Sequence, residues 1–138
     1  LIVFDINLRQ NYYDRAVVED SLHLCNVLKI NDEELEVVKN MLGLEGEGQD
    51  GACRRIIDDY SLKILILTAG DRFSSVYTPD GVSTIATPKV EAVDTVGAGD
   101  SFTGAFVASF LNGATIAGAH ACAVETAAEV CTKQGAWV

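Results

Sequence analysis

The sequence predicts an α/β fold with a mainly parallel sheet, and three observations support this class. Short runs of Ile, Val and Leu alternate with polar stretches of helical spacing, as in strand–helix–strand units. The apolar runs are continuous, which is typical of parallel strands covered on both faces. A turn signal later in the chain adds a β-hairpin, and two helices rich in small residues follow it.

The first half of the chain contains three predicted strands, at Leu1–Asp5, Asn26–Ile30 and Leu62–Thr68. The helix after the second strand has an apolar face, and Asn31 or Asp32 could cap it. The residues of that face are Leu35, Val38, Met41 and Leu42. A glycine-rich acidic connection at 43–48 leads to a second helix at about 52–60.

The second half contains a hairpin and two helices. Phe73–Thr78 and Val82–Thr87 flank Pro79-Asp80-Gly81, which is a strong turn signal. Two helices follow, at about Ala98–Leu111 and Thr115–Thr132, and their small residues suit close packing.

The composition excludes several function classes. The chain has 138 residues, 20 acidic against 10 basic side chains and a formal net charge of -10, which disfavours binding to nucleic acid or to an anionic membrane. The longest strong apolar run, Ile64–Leu67, is far shorter than a membrane span. We expect a protein with one domain and a cytoplasmic location.

The four cysteines have no metal-ligand spacing. Cys25, Cys53, Cys122 and Cys131 are far apart in the sequence. The last two lie in an apolar helical pattern, where free Cys usually packs as a small hydrophobe. We therefore expect reduced thiols, as in the cytoplasm.

The beginning of the sequence favours a piece of a longer protein. Residue 1 is Leu, a strand pattern starts at once, and no signal-peptide pattern is present.

The segment Asp94-Thr95-Val96-Gly97-Ala98-Gly99-Asp100 contains the most specific chemistry. Gly97 and Gly99 permit positive φ and a close approach of a ligand to the backbone. A helix begins near Asp100, and a helix N-terminus presents free N–H groups that suit a phosphate. The carboxylate of Asp100 could accept a proton from a hydroxyl that attacks phosphorus. Alternatively, the glycines only form a turn and Asp100 only interacts with the helix dipole.

The whole run from Asp94 to Ala105 resembles the D-T-x-G-A-G-D-x-F-x-G-A signature of the ribokinase/PfkB family of carbohydrate kinases. Further segments resemble motifs of that family in the same order, namely F-D-x-N-x-R at 4–9, N-x-x-E at 31–34, T-x-G at 68–70 and the loop at 133–136. The resemblance covers nearly all 138 residues. It implies a ribokinase-like three-layer αβα fold.

The resemblance also implies roles for individual residues. Asp100 corresponds to the catalytic base, and Gly97, Ala98 and Gly99 correspond to the anion hole that stabilises the transferred phosphoryl group. The N-x-x-E motif helps to hold Mg²⁺ and phosphate, with its Glu in the outer shell of the metal. Its two residues are Asn31 and Glu34.

Other positions correspond to nucleotide and substrate contacts of the family. Thr68, Gly70 and Gly135 correspond to ATP contacts. Arg9 corresponds to a position near the phosphates or the substrate, although an Arg after a strand can be a surface ion-pair partner. Asp94 and the Val96 carbonyl correspond to a monovalent-cation site that is occupied by K⁺ in some members.

Two positions depart from the family pattern. Val124 stands where many members have a polar residue facing the adenine, and His120 matches no catalytic position and is interpreted as a histidine on a helix face.

Residues 1–138 are expected to form the C-terminal, ATP-binding and catalytic part of such a kinase, without its N-terminal substrate and lid half. The implied activity is ATP-dependent phosphorylation of a sugar hydroxyl, as in fructokinases and ketodeoxygluconate kinases. The alternatives are a nucleoside kinase of the same family and a non-catalytic nucleotide-binding fragment. The implied ligands are a sugar, ATP, Mg²⁺ and, as an option, K⁺, and a homodimer is one option for the full-length protein.

Overall fold

The computed structural model describes residues 1–6, 14–89 and 97–132, which contain five strands and five helices. The strands are β1 (Val3–Asp5), β2 (Val27–Asn31), β3 (Ile64–Thr68), β4 (Phe73–Thr78) and β5 (Gly81–Ala86). The helices are α1 (Arg15–Leu24), α2 (Asp32–Leu42), α3 (Gln49–Tyr60), α4 (Ala98–Leu111) and α5 (Ile116–Cys131). The chain divides into a first compact unit, Leu1–Gly70 with Ser75–Val82, and a second, Asp71–Ser74 with Ser83–Val138.

The five strands form one sheet in the order β1-β2-β3-β4-β5. β1 pairs with β2 and β2 pairs with β3, both in parallel, so the predicted parallel sheet is confirmed. In this register Val27 lies opposite Ile64 and Asn31 lies opposite Thr68. The parallel strands therefore end at the same edge of the sheet.

The core of the first unit is built from these strands and the helices beside them. The first four residues of β3 are buried, as expected for a parallel strand with both faces covered. From α2, Leu35 and Val38 are buried, and from α3, Ile56 and Ile57 are buried. Each such side chain stabilises the fold by about 1.5–3 kcal/mol relative to exposure.

Helix α1 is an element that the sequence interpretation did not include. Asp14 caps it, because its side chain accepts a hydrogen bond of 2.7 Å from the Ala16 N–H. Val18 and Leu22, one turn apart, are its buried residues. Val17 is exposed, so the apolar pattern of this segment is blurred.

In the second unit, α4 and α5 pack against each other. Phe102 and Phe106 of α4 are buried, and Ala119 and Ala123 of α5 are completely buried. Thr115 caps α5 by accepting a hydrogen bond of 3.0 Å from the Gly118 N–H. Both helices lie where the sequence predicts them. Among the described residues, no helix combines the length and the apolar character that a membrane span requires.

The four cysteines are free thiols in two different environments. Cys25 and Cys53 are buried. Burial, together with the nearby Asp50 carboxylate, raises the pKa of Cys53 to about 12, so this thiol stays protonated. Cys122 is exposed and Cys131 is half-buried. The expectation that Cys122 packs as a small hydrophobe is therefore wrong, because α5 turns that side of its surface to solvent.

Candidate functional site

Four of the predicted site residues lie at the carboxyl ends of two adjacent parallel strands in the first unit. Asn31 is the last residue of β2, and Thr68, opposite it in register, is the last residue of β3. Glu34 is in the first turn of α2 and Gly70 follows β3 by two residues. Ligands of open α/β sheets bind beyond the carboxyl ends of the strands. The sheet therefore brings the 31–34 and 68–70 motifs to the edge where such ligands bind.

Asn31 and Glu34 form a capping box at the start of α2. The Asn31 side chain accepts a hydrogen bond of 2.8 Å from the Glu34 N–H. The Glu34 carboxylate accepts one of 3.1 Å from the Asn31 N–H. The predicted cap is thus confirmed, and it fixes both half-buried side chains at the end of β2.

Gly70 changes the direction of the chain after β3. Its φ is +59°, in the left-handed region that favours glycine. The residue is exposed, and a Cβ built on it would meet no atom within 4 Å. The backbone at Gly70 is therefore accessible to a ligand, and no neighbouring atom occupies the space beside it.

Lys29 is a charged residue at this edge that the sequence interpretation missed. It lies two residues before Asn31 and therefore on the same face of β2. Its side chain is only 12% exposed, and its Nζ lies 3.6 Å from the Asp5 carboxylate on β1. A lysine between the apolar residues of β2 was the sequence feature that could have indicated it. It places a positive charge near the carboxyl ends of the strands.

The second unit contains the other group of predicted residues, at the N-terminus of α4. Gly97 is the N-cap residue with a φ of +84°, so it uses the positive φ that a glycine permits. Ala98, Gly99 and Asp100 form the first turn, where no hydrogen bond from a side chain caps the helix within the described residues. The first helical bond of this end runs from the Ser101 N–H to the Gly97 carbonyl at 2.9 Å. Uncapped first-turn N–H groups and the helix dipole favour an anion at this place.

Gly99 does not use the positive φ that a glycine permits. It lies inside α4 and has helical backbone geometry, whereas Gly97, just before the helix, has a positive φ. Gly99 and Asp100 are both exposed. The absent side chain of Gly99 therefore leaves the surface of the first turn clear, next to the carboxylate of Asp100.

Four predicted residues lie outside the described residues, namely Arg9, Asp94, Val96 and Gly135. The described site residues divide between the two units. The first unit contains Asn31, Glu34, Thr68 and Gly70, and the second contains Gly97–Asp100. Within the described part of the chain, no cluster of three His, Cys, Asp or Glu side chains could hold a metal ion.

Comparison with solved structures defines the class of the fold. Ribokinase from Thermotoga maritima matches 97% of this chain and 43% of its own chain, with a TM-score of 0.81 at 25% identity. Adenosine kinase from Schistosoma mansoni matches 99% of this chain and 43% of its own, with a TM-score of 0.83 at 21% identity. The chain has a ribokinase-like α/β fold.

The family follows from the sequence. The model of the pfkB family carbohydrate kinases matches residues 2–137, so the chain belongs to that family.

The individual relatives act on two kinds of substrate according to their names. Fructokinase-2 from Solanum lycopersicum is 29% identical over 121 residues, which are 84% of this chain and 35% of that protein. The nucleoside kinase of Methanothermobacter thermautotrophicus is 28% identical over 116 residues, again 84% of this chain and 35% of that protein. The chain therefore spans about a third of the length of each of these two relatives.

Proposed function

We propose that the complete protein is a kinase that transfers the γ-phosphoryl group of ATP to a hydroxyl group of a sugar. The observation that supports this proposal best is the first turn of α4. It combines Gly97 at positive φ, a helix end that no side chain of the described residues caps, and the exposed carboxylate of Asp100 at the third helical position. Phosphoryl transfer needs an anion site and a proton acceptor side by side.

In this proposal Asp100 is the general base. The sugar hydroxyl oxygen forms a bond to the γ-phosphorus, and the bond from that phosphorus to the β,γ-bridging oxygen breaks. The proton of the hydroxyl goes to the Asp100 carboxylate, and ADP leaves with the bridging oxygen. The N–H groups of Gly97, Ala98 and Gly99 stabilise the charge on the transferred group as an anion hole.

The first unit is proposed to bind the nucleotide. Thr68 and Gly70 would contact ATP at the end of β3, and Lys29 would add a positive charge near the phosphates. Asn31 and Glu34 would hold Mg²⁺ and phosphate oxygens from the end of β2.

The residues fit a magnesium ion in the outer-shell mode. Asn31 and Glu34 offer the oxygen donors that Mg²⁺ prefers, and their capping box holds them in place. The described residues offer no cluster of three acidic, His or Cys ligands, which suits a cation that keeps several waters and binds mainly phosphate oxygens. Bound Mg²⁺ would neutralise phosphate charge.

Four further assignments rest on the family motifs. Arg9 is proposed to contact substrate or phosphates, and Gly135 to border the nucleotide. Asp94 and the Val96 carbonyl are proposed to bind K⁺, in which case the rate falls when K⁺ is replaced by a large organic cation at constant ionic strength. A cytoplasmic location belongs to the same proposal, and the free thiols fit it.

A nucleoside is the second candidate substrate, because relatives named nucleoside kinases match the chain as well as fructokinases do. The F-D-x-N-x-R segment at 4–9 favours the sugar.

The proposal is tested by the formation of ADP from ATP and Mg²⁺ by the purified complete protein. The substrate panel contains fructose, ketodeoxygluconate, ribose, adenosine and inosine, and each is compared with a reaction without acceptor. We expect ADP and a phosphorylated product with a sugar. Turnover with a nucleoside alone would replace the sugar by the second candidate. ATP binding without turnover on any acceptor would favour the non-catalytic alternative.

A further inference from the structure

His120, on α5, is completely buried and hydrogen bonded through both ring nitrogens. Its Nε2 lies 2.8 Å from the Oγ of Ser74 on β4. Its Nδ1 lies 2.8 Å from the Oγ of Ser83 on β5. All three residues belong to the second unit. One side chain of α5 therefore links the helix to both strands of the hairpin.

The chemistry of these two bonds is directional. A neutral imidazole has one N–H donor and one bare nitrogen, so one serine accepts a hydrogen bond and the other donates one. Burial lowers the pKa of His120 below its usual value of 6.5, which keeps the ring neutral at neutral pH. No described buried side-chain oxygen or nitrogen lacks a partner, so this network is complete. A satisfied polar network fixes one arrangement of its elements more strictly than apolar packing does.

The network also reaches α4. The ring of Phe102 meets the ring of His120 edge to face, with centroids 6.1 Å apart and planes at 67°. Phe102 is 5% exposed and lies two residues after Asp100 on the same helix. His120 is therefore in contact with the helix whose first turn contains Asp100.

We propose that His120 is a positioning residue that holds the first turn of α4 in place through its bonds to Ser74 and Ser83 within the second unit, and with it the carboxylate of Asp100. This inference rests on the proposed phosphoryl transfer. A misplacement of about 1 Å at a reacting group can cost about 100-fold in rate. The alternative is that the cluster only contributes to stability.

The test separates these roles by restoring stability without the directional bonds. His120→Phe keeps an aromatic ring beside Phe102 but leaves the buried Ser74 and the half-buried Ser83 without their hydrogen-bond partner. The triple variant H120F/S74A/S83A removes the serine hydroxyls as well, and an all-apolar replacement of a polar group and its partners can be nearly neutral for stability. Val130→Ala, a buried position on α5 away from the hairpin bonds, is the matched control for lost packing.

Two measurements are made on each variant. Steady-state kinetics gives kcat and the KM for ATP, and amide hydrogen exchange is followed at residues 101–105 in α4. We expect the triple variant to regain a thermal midpoint near that of the wild type while kcat stays at least about 10-fold lower and the KM for ATP changes less than about threefold. Exchange at 101–105 should accelerate at least fivefold. Val130→Ala should lower the midpoint and leave kcat within twofold.

Recovery of kcat together with stability in the triple variant would overturn the positioning role. If the triple variant does not fold, Ser83→Ala decides, because it removes a single bond at a half-buried position. It should lower kcat at least threefold, and a wild-type kcat would refute the proposal. A wild-type protein without turnover on any acceptor would contradict the proposed function instead. Amide exchange would still test the role of His120 in that case. Unchanged protection of the amides at 101–105 in the triple variant would exclude a positioning role.

Discussion

Two glycines at the N-terminus of α4 have different tasks. Gly97 has a φ of +84°, where a side chain would strain the backbone by about 1–2 kcal/mol. Gly99 is helical and exposed, so a side chain there would need no positive φ and would stand on the surface of the first turn. In the proposed function, glycine at position 99 leaves space for the phosphoryl group.

Gly99→Val should abolish activity without unfolding the protein. Valine has a slightly better helix propensity than glycine, so the thermal midpoint should stay at or above the wild-type value. The branched side chain should block the approach of phosphate and lower kcat/KM by at least about 100-fold, with a smaller loss for Gly99→Ala. Circular dichroism and steady-state kinetics check both parts. Normal kinetics in the valine variant would show that this turn does not contact the phosphoryl group.

Glu34→Gln tests the role of the carboxylate apart from the helix cap. Glutamine can also accept the hydrogen bond from the Asn31 N–H, so the capping box and the stability should be retained. The Mg²⁺ concentration for half-maximal rate should rise severalfold, and more than the KM for ATP, because an outer-shell charge is lost. Glu33→Gln is the matched control, since it removes an exposed charge from the same helical turn. Equal Mg²⁺ responses of the two variants would contradict the assignment.

At the scale of elements, the end of α2 depends on a left-handed residue. Gly43 ends the helix with a φ of +71°, and its N–H donates to the Lys39 carbonyl. A Cβ at Gly43 or at Gly46 would meet no atom within 4 Å, so only backbone strain distinguishes these two positions. Gly43→Ala should lower the free energy of unfolding in urea by about 1 kcal/mol more than Gly46→Ala does. Equal effects would show that the left-handed cap contributes nothing measurable.

The contact between α5 and the hairpin predicts a pH dependence of stability. Burial lowers the pKa of His120 from its usual 6.5, so in mild acid the unfolded chain takes up a proton that the folded chain does not. This contribution is complete above about pH 6.5 and is lost as the pH falls toward the folded-state pKa. Urea unfolding at about pH 7.5 and 5.5 should show a larger loss for the wild type than for His120→Gln, which shares all the carboxylates. Equal losses of unfolding free energy in both proteins would show that the buried His120 ring is not kept neutral by the fold.

Local sequence patterns predicted most helices and strands, because clear turn and cap residues mark where these elements begin and end. The parallel strands β1–β3 have continuous apolar runs, and α4 and α5 lie where their patterns place them. Helix α1 was missed, since exposed Val17 and Leu24 stand beside its buried residues and blur the helical period. Cys122 was misassigned because α5 has small residues on every side, so the sequence alone does not say which side is buried. Its orientation follows from packing against α4.

At the scale of the whole molecule, the motifs predicted the candidate site in part. Parallel register explains why the 31–34 and 68–70 motifs meet, and this could be expected from the strand pattern. The His120 network could not be expected, since its serines are 46 and 37 residues away in the sequence and no local period links them. Lys29 was not predicted as a site residue, because the predicted charged residues follow the strands, whereas Lys29 lies within β2.

The net charge of the molecule sets a condition for its proposed ligand. A chain with a formal charge of -10 repels a triphosphate unless positive charge is concentrated where the phosphates bind. In the first unit Lys29 carries a positive charge beside the Asp5 carboxylate, and in the second unit the N-terminus of α4 carries a partial positive charge. In the proposed reaction Mg²⁺ would supply the rest.

In the proposed reaction Asp100, at the start of α4, takes the proton of the attacking hydroxyl group. Asp100→Asn in the complete protein tests it most directly, because the amide keeps the shape of the exposed side chain and removes its ability to take a proton. The measurement is kcat for the best acceptor, together with the dissociation constant for ATP from calorimetry. We predict that kcat falls by about 10²–10⁴-fold while ATP binds within about threefold of the wild type. A kcat within threefold of the wild type would contradict the role of Asp100 as the general base.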